Sequence, residues 1–206
     1  MEPIPDSWPP PDESSDVVVP LFPLKGVYLF PASVMPLIIF EPRYRVMVED
    51  LLDGPGRLVM GTVSDEDADM AGAPEVHPVA GLGEIGKHVR LPDGRYVIWL
   101  FGLARVRIQE ADSDKPYRKV KCEPLEEVPV PNEHRAELEE KLRQAILDRR
   151  SDDEEIELPD RLPVEFLTDY LLQRLQLPQS TMLDLFGEPV VTKRAEVALR
   201  EHDDRE

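Results

Sequence analysis

The stretch VMPLIIFEPRYRVMVEDLLDG, residues 34–54, decides the fold, because it places a strand directly before a helix. Its first seven residues, 34–40, are an apolar run, and the internal Pro36 confines such a strand to a sheet edge or a bulge. The apolar residues that follow recur at offsets of three and four, which is typical of one helix face. Pro42 suits the first position of that helix, and Gly54 ends it. The stretch therefore predicts one short helix embedded among strands.

Short strand patterns lie on both sides of this helix, separated by turn signals such as Pro92-Asp93-Gly94. Residues 96–101 are apolar throughout and predict a strand buried on both faces. Residues 64–74 predict an acidic loop. The further predicted strands cover residues 17–21, 26–30, 58–63, 75–79, 83–91, 105–109 and 118–123.

Beyond Pro131 the apolar period becomes helical. Asn132 is a candidate N-cap for a helix whose apolar stripe is Leu138, Leu142, Ala145 and Ile146. After a charged loop at 149–157, Pro163 starts a second helix with Phe166, Leu167, Tyr170, Leu171 and Leu175 facing inward, and two more helices cover about 180–186 and 190–200. These patterns divide the chain into three regions. Residues 1–16 are a proline-rich acidic segment, predicted to be disordered around its single aromatic residue Trp8. A β domain covers residues 17–131, and a helical subdomain covers 132–202.

Composition excludes several classes of function. The chain has 206 residues with 42 acidic and 24 basic side chains, a formal net charge of −18. Binding to nucleic acid or to an anionic membrane surface needs positive charge, so neither is expected. A single cysteine permits no internal disulfide and no cysteine-built zinc site. The longest apolar run is too short to cross a membrane and no secretory signal is present, so we expect a cytoplasmic protein.

The motifs that suggest chemistry have simpler interpretations. Residues 81–86 match G-x-G-x-x-G, but phosphate binding needs a helix directly afterwards, and the turn at 92–94 leaves no room for one. We interpret the motif as a glycine-rich strand and bend. Cys122 lies in an alternating strand and is expected to be a buried, inert thiol. Since the histidines share no metal-ligand spacing, we predict no catalytic residue, no metal site and no cofactor.

Basic residues occur in pairs on two strands. Arg105 and Arg107 share one face of their strand, as do Lys119 and Lys121 of theirs. If these strands pair, the four charges form a local basic patch that could dock an acidic partner. The alternative is that neighbouring acids such as Glu110 and Glu123 neutralise the patch.

Several blocks of the first half are similar to the N-terminal substrate-recognition domain of the ATP-dependent protease Lon. They are PLFPL at 20–24, LFP at 29–31, PLIIFEPRYRVMV at 36–48, LPDGRY at 91–96 and GLARVRI at 102–108. The F-E-P-R-Y block is the most specific. The resemblance implies an α+β fold, a PUA-like β pseudo-barrel with one embedded helix followed by a C-terminal helical bundle.

The resemblance also implies a function. Lon has an ATPase module and a protease domain that find no counterpart here, so the chain is similar to Lon-domain proteins without them. We therefore expect a non-catalytic module for protein quality control that binds unfolded or partner protein segments, with a separate protease as a further partner. The alternatives are an adaptor for one folded partner, an ATP-independent hydrolase, or an RNA-binding PUA-like protein. The candidate protein-binding residues are Phe40, Arg43, Tyr44, Arg105, Arg107, Lys119 and Lys121, with a structural role as the alternative for the first three.

Overall fold

The structure, a computed structural model, describes residues 17–65, 67–149, 158–159 and 161–204. Over these residues, strands with one embedded helix precede a set of helices. The chain divides between Leu125 and Glu126 into two compact units. The first unit holds β1 (Val17–Lys25), β2 (Val34–Ile39), α1 (Pro42–Leu52), β3 (Arg57–Val63), β4 (Val79–Arg90), β5 (Tyr96–Ala111) and β6 (Lys119–Pro124). The second holds α2 (Asn132–Asp148), α3 (Val164–Arg174), α4 (Gln179–Gly187) and α5 (Val191–Asp203).

The strands form one mixed sheet in the order β2-β5-β4-β3-β1-β6. A further pairing between β5 and β6 closes five strands into a ring and leaves β2 outside the ring, beside β5. β1 and β3 run parallel, and the other neighbouring strands are antiparallel. This confirms the predicted α+β fold, in which a β pseudo-barrel with one embedded helix precedes a set of helices.

Two apolar clusters form the core of the first unit. One fills the ring of strands, with Leu21, Val59, Leu82, Val106 and Val120. The other lies where α1 packs on the sheet, with Ile39, Met47, Val48, Ile98 and Leu100. The second cluster is possible because β5 is long: its residues 96–101 pair with β2, whereas 106–111 pair with β6.

The stretch at 34–54 folds as its pattern predicts. β2 is an edge strand, which accommodates Pro36 because an edge residue without an N–H loses no ladder bond on its open side. α1 begins at Pro42, where a missing N–H costs nothing. Its buried residues are Tyr44, Met47 and Val48.

Two predicted strands are absent. Residues 26–30 form a turn and an irregular segment, with Gly26 at φ +60, although Leu29 and Phe30 are buried. Residues 75–79 contribute a single bridge, from Val76 to Val63, before β4 begins. An apolar pattern indicates burial but not the kind of structure that provides it. Leu29 and Phe30 are buried because the segment crosses over the sheet, not because it joins the sheet as a strand.

The prediction that residues 96–101 are buried on both faces is also wrong. Tyr96, Ile98 and Leu100 are buried, but Val97, Trp99 and Phe101 are only half-buried. The reason is the packing of α1, which covers one face of this part of the sheet.

The second unit follows its predicted helical pattern, with local differences. The stripe of α2 at Leu138, Leu142, Ala145 and Ile146 is buried as predicted. Asn132 is the first helical residue and not the N-cap, a position that Pro131 takes. In α3, Phe166 and Tyr170 are only half-buried and stack on each other, with ring centroids 5.8 Å apart.

Two predicted regions lie outside the described residues: the proline-rich N-terminal segment at 1–16, including Trp8, and residues 150–157 of the charged loop. Among the residues that are described, no helix is both long and apolar enough to cross a membrane.

Candidate functional site

The most unusual surface of the first unit is an apolar sheet face that nothing in that unit covers. It belongs to three strand segments, which we call the arm: β2, residues 84–90 of β4 and residues 96–101 of β5. One face of the arm packs on α1. We call the opposite side the outer apolar face; it consists of Val34, Pro36, Ile38, Phe40, Val89, Val97, Trp99 and Phe101.

The alternation of β2 produces this face directly. Met35, Leu37 and Ile39 pack toward α1, so the intervening side chains must point the other way. Among them, Ile38 is 58% exposed, and Phe40, just beyond the strand, is 63% exposed. A solvent-facing side of an antiparallel sheet is ordinarily polar, and a contiguous apolar patch of this kind marks an interaction surface.

The strand register joins the apolar side chains into rows. Val34 lies opposite Phe101, Pro36 opposite Trp99, and Ile38 opposite Val97. Directly opposed residues of antiparallel strands share a face and lie close enough to touch. The rows therefore form one continuous surface across β2 and β5, which β4 extends through Val89 opposite Val97.

Two charged side chains of β4 stand on the same face: Glu84, which lies opposite Phe101 and pairs with Arg57 at 2.9 Å, and Lys87. Lys87 lies opposite Trp99 in the register, and its Nζ is 4.8 Å from the centroid of the Trp99 ring. This distance is that of a cation–π contact. The ammonium group is therefore placed over the central strand of the arm.

The F-E-P-R-Y block is divided between a surface and the core. Phe40 is exposed on the outer apolar face, which corrects the alternative of a structural role in the core for this residue. Tyr44 is buried, with its ring edge-on to Phe22 at a centroid distance of 4.6 Å. Arg43 covers the Tyr44 ring at 4.6 Å and bonds Glu41 through Nε at 3.0 Å. Only Phe40 of the three candidate residues reaches the outer apolar face.

Arg43 of α1 and Arg118, the residue before β6, both donate hydrogen bonds to the acidic loop. Arg43 Nη2 donates to the carbonyl oxygen of Met70 at 2.6 Å, and Arg118 Nη1 donates to that of Pro74 at 2.8 Å. Arg118 also binds both carboxylate oxygens of Glu110 at 2.9 Å. A cavity of about 370 Å³ lies beside these two arginines. Since their donors are engaged within the protein, this cavity has little unpaired positive charge from them to offer an anion.

The two basic strands pair, as the patch prediction requires, but the patch is smaller than predicted. Arg107 and Lys121 are exposed on one face of β5 and β6. Lys119, on the same face, forms an ion pair with Asp114 at 2.9 Å, and Arg107 lies opposite Glu123. Arg105 is only 3% exposed, so it does not contribute to a surface patch. Alternation predicts which face a residue takes, not whether other parts of the protein cover that face.

Three titratable side chains of the first unit have pKa values that are shifted away from neutrality. Burial raises the pKa of the Cys122 thiol to about 12, so the nucleophilic thiolate is not populated near pH 7. Hydrogen bonds from Lys115 and Tyr117 lower the pKa of Asp50. Burial, and then that carboxylate, raise the pKa of Tyr117. In the described part of the chain, no group of three His, Cys, Asp or Glu side chains is arranged to bind a metal ion.

The glycine motif at 81–86 lies inside β4, with no helix after it, as predicted. Gly81 and Gly83 lie against Leu29, where the irregular segment crosses the sheet. The motif therefore serves close packing of the backbone.

Comparison with known proteins agrees with this architecture. Residues 18–199 match the family of the ATP-dependent protease La (LON) substrate-binding domain. The chain belongs to this family, as its sequence blocks predicted.

Two solved structures share the fold. The N-terminal domain of the Mycobacterium avium complex Lon protease has a TM-score of 0.70 at 19% identity, over 92% of this chain and 100% of that one. A Lon N-terminal domain protein from Xanthomonas campestris has a TM-score of 0.62 at 22% identity, over 89% of this chain and 98% of that one.

Among curated relatives, Lon protease 2 of Sorangium cellulosum is 36% identical over 125 residues, 60% of this chain and 15% of its own length. The Lon protease of Escherichia coli K12 is 26% identical over 116 residues, 56% of this chain and 15% of its own length. The chain thus matches only a small part of these relatives.

Sequence reasoning missed most of the outer apolar face. The available signal was that residues 34–40 are apolar at both alternating positions. Such a run predicts a strand covered on both sides. It is equally the pattern of a strand with one covered face and one apolar binding face, and only the position of α1 decides between them.

Proposed function

We propose that this chain is a non-catalytic protein-binding module, whose outer apolar face binds apolar segments of unfolded or partner proteins. The observation that carries the proposal is the uncovered apolar surface of the arm, where Ile38 and Phe40 are each more than half exposed. Membership of a substrate-binding domain family supports protein segments as the class of ligand.

The energetics favour weak, reversible binding. Fully burying one large apolar side chain contributes roughly 1.5–3 kcal/mol. Several such residues on the arm must offset an association cost of about 4–15 kcal/mol. The net free energy suits a module that captures and releases segments rather than one that forms a permanent complex.

Contact through side chains is favoured over the addition of a strand. Open edges can accept an extended peptide as an additional strand, and β2 is such an edge. However, Pro36 lies in the middle of β2 and supplies no N–H. Proline is one of the devices by which edge strands avoid pairing, so we assign binding to the face and not to the edge.

Burial raises the pKa of the Cys122 thiol to about 12, so this side chain supplies no nucleophile near pH 7, which supports a role without catalysis. We therefore assign any cleavage of bound segments to a separate protease. The relatives named Lon protease support this choice of partner. The cytoplasm is the compartment that we propose.

Substitution on the outer apolar face tests the function. The double variant Ile38→Ser, Phe40→Ser should bind a reduced and alkylated, permanently unfolded protein at least about tenfold more weakly than the native chain, because it forgoes more than 1.4 kcal/mol of apolar burial. Fluorescence anisotropy titration measures the Kd. Val18→Ser is the matched control, since Val18 is 44% exposed on β1, opposite Lys121. Equal binding by the double variant and the native chain would refute the proposal.

The same titration separates this function from its main rival. Arg107 and Lys121 share an exposed face, which supports an adaptor that docks one folded acidic partner. Charge reversal at both positions should leave binding of the unfolded client unchanged if the outer apolar face is the site. Loss of binding after charge reversal, with no effect of the serine substitutions, would favour the adaptor.

A further inference from the structure

We infer that Lys87 makes the outer apolar face selective for apolar segments that carry an aspartate or glutamate side chain. The inference rests on the proposed function of that face and adds the chemical class of the segment that it prefers.

The position of Lys87 is the first observation. It lies opposite Trp99, which in turn lies opposite Pro36, so one row of side chains crosses all three strands of the arm. The Lys87 ammonium is 4.8 Å from the centre of the Trp99 ring. A segment that covers Trp99 must therefore meet this positive charge.

The pairing of the surrounding carboxylates is the second observation. The acidic residues in and around the arm each form an ion pair with an arginine: Glu84 with Arg57 at 2.9 Å, Glu49 with Arg90 at 3.5 Å, Asp93 with Arg95 at 2.7 Å and Glu41 with Arg43 at 2.9 Å. Lys87 has no carboxylate partner among the described residues. In a chain of net charge −18, the outer apolar face thus carries a positive charge.

The chemistry of an ammonium group follows from this setting. It has three N–H donors, and contact with one aromatic face leaves donors free for another partner. When an apolar segment covers the row, Lys87 loses part of its hydration, which is unfavourable unless a carboxylate replaces the water. A glutamine or serine supplies a weaker partner than a charged carboxylate.

The row structure indicates a side-chain carboxylate rather than a chain terminus. On β2 and β5 the Lys87 row has apolar neighbours on both sides, with Val97 and Ile38 in the next row and Phe101 and Val34 in the row before. A segment must continue past Lys87 in both directions to cover them. A C-terminal carboxylate at Lys87 would end the segment and leave one side uncovered.

Matched peptides test this inference. The first peptide alternates apolar residues around one central glutamate, the second has glutamine there, and both are acetylated and amidated so that no terminal charge remains. A third is the glutamine peptide with a free C-terminal carboxylate. Fluorescence anisotropy gives the Kd of each for the native chain, for Lys87→Met and for Lys25→Met, which removes an exposed lysine elsewhere on the first unit.

The native chain should bind the glutamate peptide about two- to fivefold more tightly than the glutamine peptide, the range of an exposed charge pair. Lys87→Met should abolish this preference, and Lys25→Met should keep it. A preference that survives Lys87→Met overturns the inference, as does equal binding of both peptides to the native chain. A free C-terminal carboxylate that restores the full preference also overturns it.

These outcomes remain separate from those of the proposed function. If both peptides bind the native chain equally and the serine variant at Ile38 and Phe40 still weakens them, the proposed function stands and the role of Lys87 fails. If neither peptide binds, both fail.

Discussion

At the scale of the residue, Gly81 shows why a glycine motif can be structural. A Cβ at this position would overlap the carbonyl oxygen and Cβ of Leu29. We predict that Gly81→Ala lowers the free energy of unfolding by about 1–3 kcal/mol, because the overlap involves backbone that cannot move aside cheaply. Urea denaturation followed by tryptophan fluorescence measures the change. Gly54→Ala is the control, since the nearest atom to its new Cβ is the Leu51 oxygen at 3.9 Å; equal midpoints for the two variants would contradict the prediction.

The sequence could reject nucleotide binding at this motif but could not explain its glycines. Nucleotide binding could be rejected from local information alone, because the turn at 92–94 follows the motif too closely for a helix to fit between them. The explanation needs the contact between Gly81 and Leu29, residues far apart in the chain that meet only after the sheet forms. The same limit applies to the site: Phe40 could be named from its block, whereas Lys87 becomes a candidate only once the register places it beside Trp99.

At the scale of the element, a strand's pattern predicts its existence better than its surroundings. β2, α1 and β6 lie where their patterns predict, whereas β5 joins the two strands predicted at 96–101 and 105–109 into one. What covers each face is decided by other elements. Residues 96–101 have one open face because α1 occupies only the other.

Helix α5 depends on a charge that periodicity does not predict. Arg194 is fully buried; it donates through Nη2 to Asp169 of α3 and to Glu127, at 3.1 Å each, and through Nη1 to the carbonyl oxygen of Glu188 at 3.0 Å. Removal of one partner leaves the other buried charge uncompensated, which costs far more than the intact pair contributes. The arginine thus joins α3, α5 and the segment that leads into the helical unit.

We therefore predict that Arg194→Met lowers the free energy of unfolding of the helical unit by about 3–5 kcal/mol. Far-UV circular dichroism during urea denaturation follows the helices. Lys193→Met is the matched control, because its side chain is 64% exposed and its ion pair with Glu188 is long, at 3.5 Å. A similar shift for both variants would show that the buried network has no special weight.

At the scale of the whole molecule, two electrostatic effects of opposite sign act on an approaching segment. The net charge of −18 repels acidic clients at a distance. The positive charge of Lys87 attracts a carboxylate only at contact. Salt screens the long-range effect most strongly. Charges further apart than the Debye length, about 8 Å at physiological salt and about 30 Å at 0.01 M, are largely screened from each other.

The two effects should consequently appear in different rate constants. Long-range charge acts mainly on association, and contacts act mainly on dissociation. We predict that rising salt slows the association of a basic unfolded client and speeds that of an acidic one, as stopped-flow fluorescence can measure. Lys87→Met should speed the dissociation of the glutamate peptide and leave these salt trends in place. If basic and acidic clients share one salt trend, the net charge does not steer binding, and the local charge of the outer apolar face is then the dominant electrostatic contribution.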